Sequence, residues 1–289
     1  MQNRKQIVVT VLVVLCGLFV LWAKSRRGDW GKELAEAERL RDAGRYIEAA
    51  ARAEKALDIA EKRFRDDSLP VARCRLALGE IRHCLGQYDE ARALLESALA
   101  TFEQRPKQRR PMLGAAASDL GRLYADMGRH DEAQTLLERA VTIAEESAPP
   151  DPATLTTALA DVGNLYRIQE RYDKAESTLE RAIETGKVSL GRNNPRTAAA
   201  MNNLALVYSD RGDCSKAEAL LKDAIAIYEA AWGPDHPEIA TSLENLAVAY
   251  IGSEPLCRGR RGPDARAANP VEHLRTRPPH APGADGPPR

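Results

Sequence analysis

The chain has 289 residues, enough for a sizeable core, and its 42 Lys and Arg are matched by 42 Asp and Glu. That balance argues against nucleic acid as the main partner, because such binding relies on a concentrated basic surface. Cys16, Cys74, Cys84, Cys214 and Cys257 form no CxxC pair and have no histidine at zinc-site spacing, so neither a metal nor a cofactor is expected. Cys74 and Cys84 fall on one predicted helix about 15 Å apart, too far to bridge, and read as small packing residues.

After a short tail at residues 1–6, residues 7–23 read IVVTVLVVLCGLFVLWA, an apolar stretch without a charge. As a helix it is about 26 Å long, the short end of what spans a bilayer. Arg4 and Lys5 precede it, Lys24, Arg26 and Arg27 follow, and Trp22 and Trp30 sit where interfacial aromatics belong. A cleaved signal peptide is the rival reading. Leu21 two positions before Ala23 and the basic residues that follow favour an uncleaved transmembrane helix. Positive charge flanks both ends, which leaves the side of the membrane open.

Beyond residue 28 the chain repeats itself. GRYIEA, GQYDEA, GRHDEA, ERYDKA and GDCSKA begin at Gly44, Gly86, Gly128, Glu170 and Gly212, always 42 residues apart. Ala49, Ala91, Ala133, Ala175 and Ala217 keep the same step, as do Ala56, Ala98, Ala140, Ala182 and Ala224. Leu78, Leu120, Val162, Leu204 and Leu246 form another column; Tyr124, Tyr166, Tyr208 and Tyr250 form the next, with Arg82 as its exception. Apolar spacings of three, four and seven mark two amphipathic helices per unit. Glycine closes the first of them, since it takes the left-handed conformation freely. Proline at 111, 195 and 237 suits a helix's first turn, and Asn194 is a good N-cap. The expected helix pairs span about 31–63, 70–103, 111–147, 153–189 and 195–231, with a sixth first helix at 237–251. One hairpin cannot bury its own apolar face, whereas a stack can.

The pattern resembles tetratricopeptide repeats, specifically the 42-residue kind of kinesin light chains. Gly233-Pro234-Asp235-His236-Pro237 followed by ATSLENLAVAY carries the likeness, with GRNNP and AAAMNNLALVYSDRG as its counterpart one unit earlier. The resemblance implies an all-α fold: an α-solenoid, a right-handed superhelix over residues 28–251. Its units run 31–69, 70–110, 111–152, 153–194 and 195–236, with a half unit at 237–251. It further implies a concave groove, lined by first helices, that takes a peptide or protein. The asparagines of the family's N-N-L-A segment, which contact the peptide backbone, correspond here to Asn202, Asn203 and Asn245. Asp119 and Asp161 occupy the Asn203 column in earlier units, and Arg122 and Asn164 lie one turn along. An amide pairs with any peptide unit because it both donates and accepts. The alternative for these positions is a solvated helix face. Aspartate in place of asparagine points to a more basic ligand.

Residues 252–289 break the pattern. From Arg258 there are seven Arg and seven Pro, without Lys, Ile, Phe or Tyr, a composition that cannot bury apolar surface and is expected to be disordered. A flexible extension and a shifted reading frame are both open explanations. No phosphate loop, HExxH or GxSxG occurs and the five histidines are scattered, so no enzyme, catalytic residue or small-molecule substrate is expected. The leading expectation is a single-pass membrane-anchored scaffold that binds a protein or peptide. The alternatives are a self-assembling subunit of a membrane-associated complex, or a truncated auxiliary part of a larger system.

Overall fold

A computed structural model describes residues 29–104, 110–147 and 150–256. The apolar stretch at 7–23 and residues 257–289 of the Arg/Pro-rich tail lie outside the described residues; residues 252–256, expected to belong to that disordered tail, instead extend the last helix to Leu256. Among the described residues no helix is long and apolar enough to cross a membrane.

Eleven helices and no strands make up the described residues. They are α1 Trp30–Asp42, α2 Tyr46–Arg63, α3 Leu69–Cys84, α4 Tyr88–Glu103, α5 Arg110–Asp126 and α6 His130–Glu145. The chain continues through α7 Pro152–Ile168, α8 Tyr172–Ser189, α9 Pro195–Asp210, α10 Cys214–Trp232 and α11 Pro237–Leu256. Each odd helix packs on the even helix after it, on the even helix before it, and on the next odd helix; neighbouring even helices have no comparable packing. Such stacking puts the odd helices on one common face. The result is an α-solenoid whose core runs the length of the stack.

Local chemistry explains the element ends. Asp29, Asp151, Asn194 and Asp213 accept hydrogen bonds from first-turn amides with their side chains, and His236 does the same through Nδ1, 3.2 Å from the Glu238 nitrogen. The five turns within hairpins share one C-cap. The amide immediately after each turn residue donates back to a carbonyl five positions earlier, from Arg45 to Leu40, Gln87 to Arg82, Arg129 to Tyr124, Arg171 to Tyr166 and Asp213 to Tyr208, at 2.8–2.9 Å. This closure needs a left-handed residue, which is glycine at 44, 86, 128 and 212 but Glu170 in the fourth unit, at φ 59°.

The small-residue columns set how closely the two helices of a hairpin approach. Ala91, Ala98, Ala133, Ala140, Ala175 and Ala182 are fully buried. A further column, Gly79, Gly121 and Gly163, presses on Leu95, Leu137 and Leu179 so tightly that a Cβ there would come within 2.8–2.9 Å of a leucine methyl. In the first unit alanine faces alanine instead, at Ala37 and Ala53, both fully buried. Each buried leucine contributes about 1.5–3 kcal/mol, so the intra-hairpin seam is a main source of stability.

Candidate functional site

The odd helices meet through a polar ladder with a step of 43 residues. The Ser118 hydroxyl donates to Asp161 at 3.0 Å, the Asn203 amide to the Ala160 carbonyl at 3.3 Å, and the Asn245 amide to Asn202 Oδ1 at 3.3 Å. At the far end of the same helices His83 pairs with Asp126 at 2.6 Å and Arg167 with Asp210 at 3.0 Å. A step of one full unit plus one residue is what a stack of helices displaced sideways produces, each rung leaning on the next.

Beneath this ladder lies a cavity of about 750 Å³ lined from α1 to α11. Five of the residues singled out by sequence, Asp119, Arg122, Asp161, Asn164 and Asn203, line it. Asn202 and Asn245 instead bond to each other, on the rim side of the ladder. Asn203 spends one amide proton on Ala160, which leaves its second amide proton and its carbonyl oxygen for other partners. A smaller cleft of about 420 Å³ lies between α6, α7 and α8, lined by Val141, Leu159, Val162 and Tyr166, and belongs to the packing seam of two units.

Charge is concentrated in the middle of the cavity. Arg122 lies 3.1 Å from Asp119 and close to Asp161 and Glu80; burial alone would lower its pKa, and the three carboxylates more than offset that. Burial pushes Asp119 up to about 7, assisted by Glu80 and Asp161 and opposed by Arg122 and Arg41. Asp161 is raised by burial too, against the Arg122 charge and the Ser118 hydrogen bond. Glu80 pairs with Arg41 from the first unit. Arg41 and Arg122 both lie among these three carboxylates, but the cavity lining as a whole carries seven carboxylates against four arginines, an acidic excess that favours a positively charged group there.

Glu80 was open to sequence reasoning: it stands 42 residues before Arg122, in the same column, but a column mixing Glu, Arg and Asn carries no periodic signal. Cys84 departs from the packing role expected of it. Cys74 is fully buried, whereas Cys84 is exposed on the cavity wall, its thiol pushed up to about 11 by desolvation. At the other end Trp232 is sandwiched between Tyr228, with ring centres 5.2 Å apart, and His236, 4.1 Å apart. That sandwich had no signal in the repeat columns, because only the last loop carries it.

A tetratricopeptide-repeat model matches residues 33–104 and 153–230, and a second such model matches 85–150. The chain belongs to the tetratricopeptide-repeat family. No curated protein matches it. Among solved structures it is similar to BtubC (BKLC) from P. vanneervenii, with 19% identity, TM-score 0.54, and coverage of 90% of this chain and 97% of that one. A kinesin light chain-type protein of Podosopora anserina with nearly identical TPR-like repeats is 24% identical at TM-score 0.50, covering 69% and 94%. A Rap protein solved in complex with competence and sporulation factor is 18% identical at TM-score 0.52, covering 78% and 63%. At these identities the repeats share a fold with their neighbours, and the residues lining the groove are this chain's own.

Proposed function

We propose that this protein is a non-enzymatic scaffold whose tetratricopeptide groove binds a peptide or protein segment carrying basic side chains. The observation that carries the reading is the carboxylate cluster of Asp119, Asp161 and Glu80 around Arg122, set in a cavity large enough for a short segment of chain. Asn203 and Asn164 supply side-chain amides suited to peptide units, and the acidic cluster supplies selectivity for arginine or lysine. The apolar, basically flanked stretch at 7–23 supports attachment of this scaffold to a membrane as a single-pass protein.

Selection from a random peptide display library against the full chain tests the reading. Enriched peptides should carry Arg or Lys and should lose affinity at least tenfold for the Asp119→Lys/Asp161→Lys double variant. Failure to enrich any peptide, or equal binding by the charge-reversed variant, overturns it.

A self-assembling subunit is the second reading. It draws on Val248 of α11, 60% exposed beside the half-buried Leu243 and Leu246. Concentration-dependent mass of the full chain by sedimentation decides it: a monomer throughout rules out assembly.

A further inference from the structure

The turn of the first hairpin touches the start of the last helix. Gly44, between α1 and α2, is so close to Pro237 that a Cβ built on it would fall 2.8 Å from Pro237 Cγ and 3.4 Å from His236 Cδ2. Gly86 and Gly128 hold the same position in the next two units, with φ 73° and 76° against 70° at Gly44, and have nothing within 4 Å of the equivalent point. The contact is therefore a property of the superhelix rather than of the repeat.

Three further features cross the same seam. The His236 side chain is buried, and because Nδ1 accepts the Glu238 amide, Nε2 carries the proton. That nitrogen is shielded from water without a partner at hydrogen-bonding geometry, yet the backbone of Asp42 lies near enough to favour its proton. Tyr46, at the start of α2, is half-buried, and burial raises its hydroxyl's pKa with help from the charge of Glu238 across the seam as well as from Cys84 and Glu80. Finally, one cavity is walled at once by Asp42 and Tyr46 and by His236 and Glu238, which requires the two ends of the stack to face each other across it.

We infer that the solenoid closes on itself into a ring, with Asp42–Gly44 seated on His236–Pro237, and that this clasp controls access to the groove. The glycine at 44 thus has two duties, where its counterparts have one: it takes the left-handed turn, and it leaves room for the proline ring. A ligand segment in the cavity would be encircled, so it enters by parting the clasp or by threading an end. Closure belongs to the free chain and does not depend on which ligand the groove takes.

Spin labels at Arg45 and Asp235, both exposed, in the full chain with its native cysteines replaced, read the closure directly. The parent should give one short, narrow distance distribution. Gly44→Ala should lengthen and broaden it, while Gly128→Ala, which imposes the same backbone strain without a neighbour to strike, should leave it unchanged. A broad or long distribution in the parent overturns the ring, as does an equal response to the two alanines. In the chain with native cysteines, labelling of Cys84 by a bulky polyethylene-glycol maleimide provides the second readout. Gly44→Ala should speed it several-fold over Gly128→Ala, and equal rates would show that the clasp does not control access.

Discussion

Arg82 on α3 reaches the Glu54 carboxylate on α2 across the same gap that the Tyr124 hydroxyl bridges to Glu96 at 2.7 Å. Tyr208 donates similarly to Glu176 at 2.8 Å. The break at Arg82 in the tyrosine column thus keeps the column's job, which is to tie an odd helix to the even helix before it. Its own terminal charge takes the place of the cation that lies over each ring elsewhere, Arg129 over Tyr124 at 4.0 Å and Lys216 over Tyr208 at 4.7 Å. Arg82→Tyr should therefore fold with stability within about 0.5 kcal/mol of the parent, whereas Arg82→Ala should lose about 1 kcal/mol, the half-exposed Glu54 keeping the loss small. Urea unfolding followed by circular dichroism measures both. A loss for tyrosine equal to that for alanine would show that Arg82 has a separate role.

Glu170 occupies the left-handed turn position that glycine holds in the other four hairpins, and it is the one non-glycine residue at positive φ among the described residues. The left-handed conformation costs a side-chain-bearing residue about 1–2 kcal/mol, and glycine's greater freedom when unfolded returns about half of that. Glu170→Gly should stabilise the protein by about 0.5–1 kcal/mol, visible as a rise in the urea midpoint without a change in slope.

Much of this was readable without coordinates, and the reason is periodicity. A position whose demand recurs in every unit, such as the left-handed turn or the buried alanine, leaves the same residue type every 42 positions. The Gly79, Gly121 and Gly163 column recurs only three times and gives way to Ala37 and Ala205 at the ends, so its pressure on the facing leucines was not legible. Superhelical closure was still less so. It depends on small angles accumulated over five units, and its parts, Gly44 and His236-Pro237, look like an ordinary turn and an ordinary helix start. The groove residues fall between these cases: Asp119, Asp161 and Asn203 share a column, but whether a side chain turns to the cavity or to the next rung is decided by packing.

The same glycine column allows a comparison within one molecule. Gly163→Ala places a methyl within 2.8 Å of a Leu179 methyl carbon, and overpacking of this kind costs about 1–3 kcal/mol against about 1 kcal/mol returned by better helix propensity. A net loss of up to about 2 kcal/mol is expected. Pairing it with Leu179→Ala, which mimics the alanine-on-alanine arrangement of Ala37 and Ala53, should give a double variant more stable than the sum of the two single losses predicts. Strict additivity in urea unfolding would mean that the two side chains do not share the space as described.

Asp119 makes the stability of the free protein depend on pH in an unusual direction. Its folded pKa is raised to about 7 from an ordinary carboxylate value near 4, so between those values the folded chain holds a proton that the unfolded chain has released. Stability contributed by this group is therefore present at low pH and lost as pH rises through about 7, and Asp161, shifted the same way, acts in the same sense. His236 opposes them, its pKa being lowered by burial, so that it withdraws stability as pH falls below the usual histidine range. Asp119→Asn keeps the shape and removes the charge. It should be more stable than the parent by about 1–2 kcal/mol at pH 8, with the gap closing toward pH 5. A basic peptide in the groove reverses the balance, because its charge favours the ionised carboxylate. Its affinity for the parent should rise from pH 5.5 to pH 8, and that rise should flatten in Asp119→Asn. Calorimetric titration at the two pH values, in buffers of different ionisation enthalpy, would count the released proton. A pH-independent affinity with no proton released would remove Asp119 from the binding site.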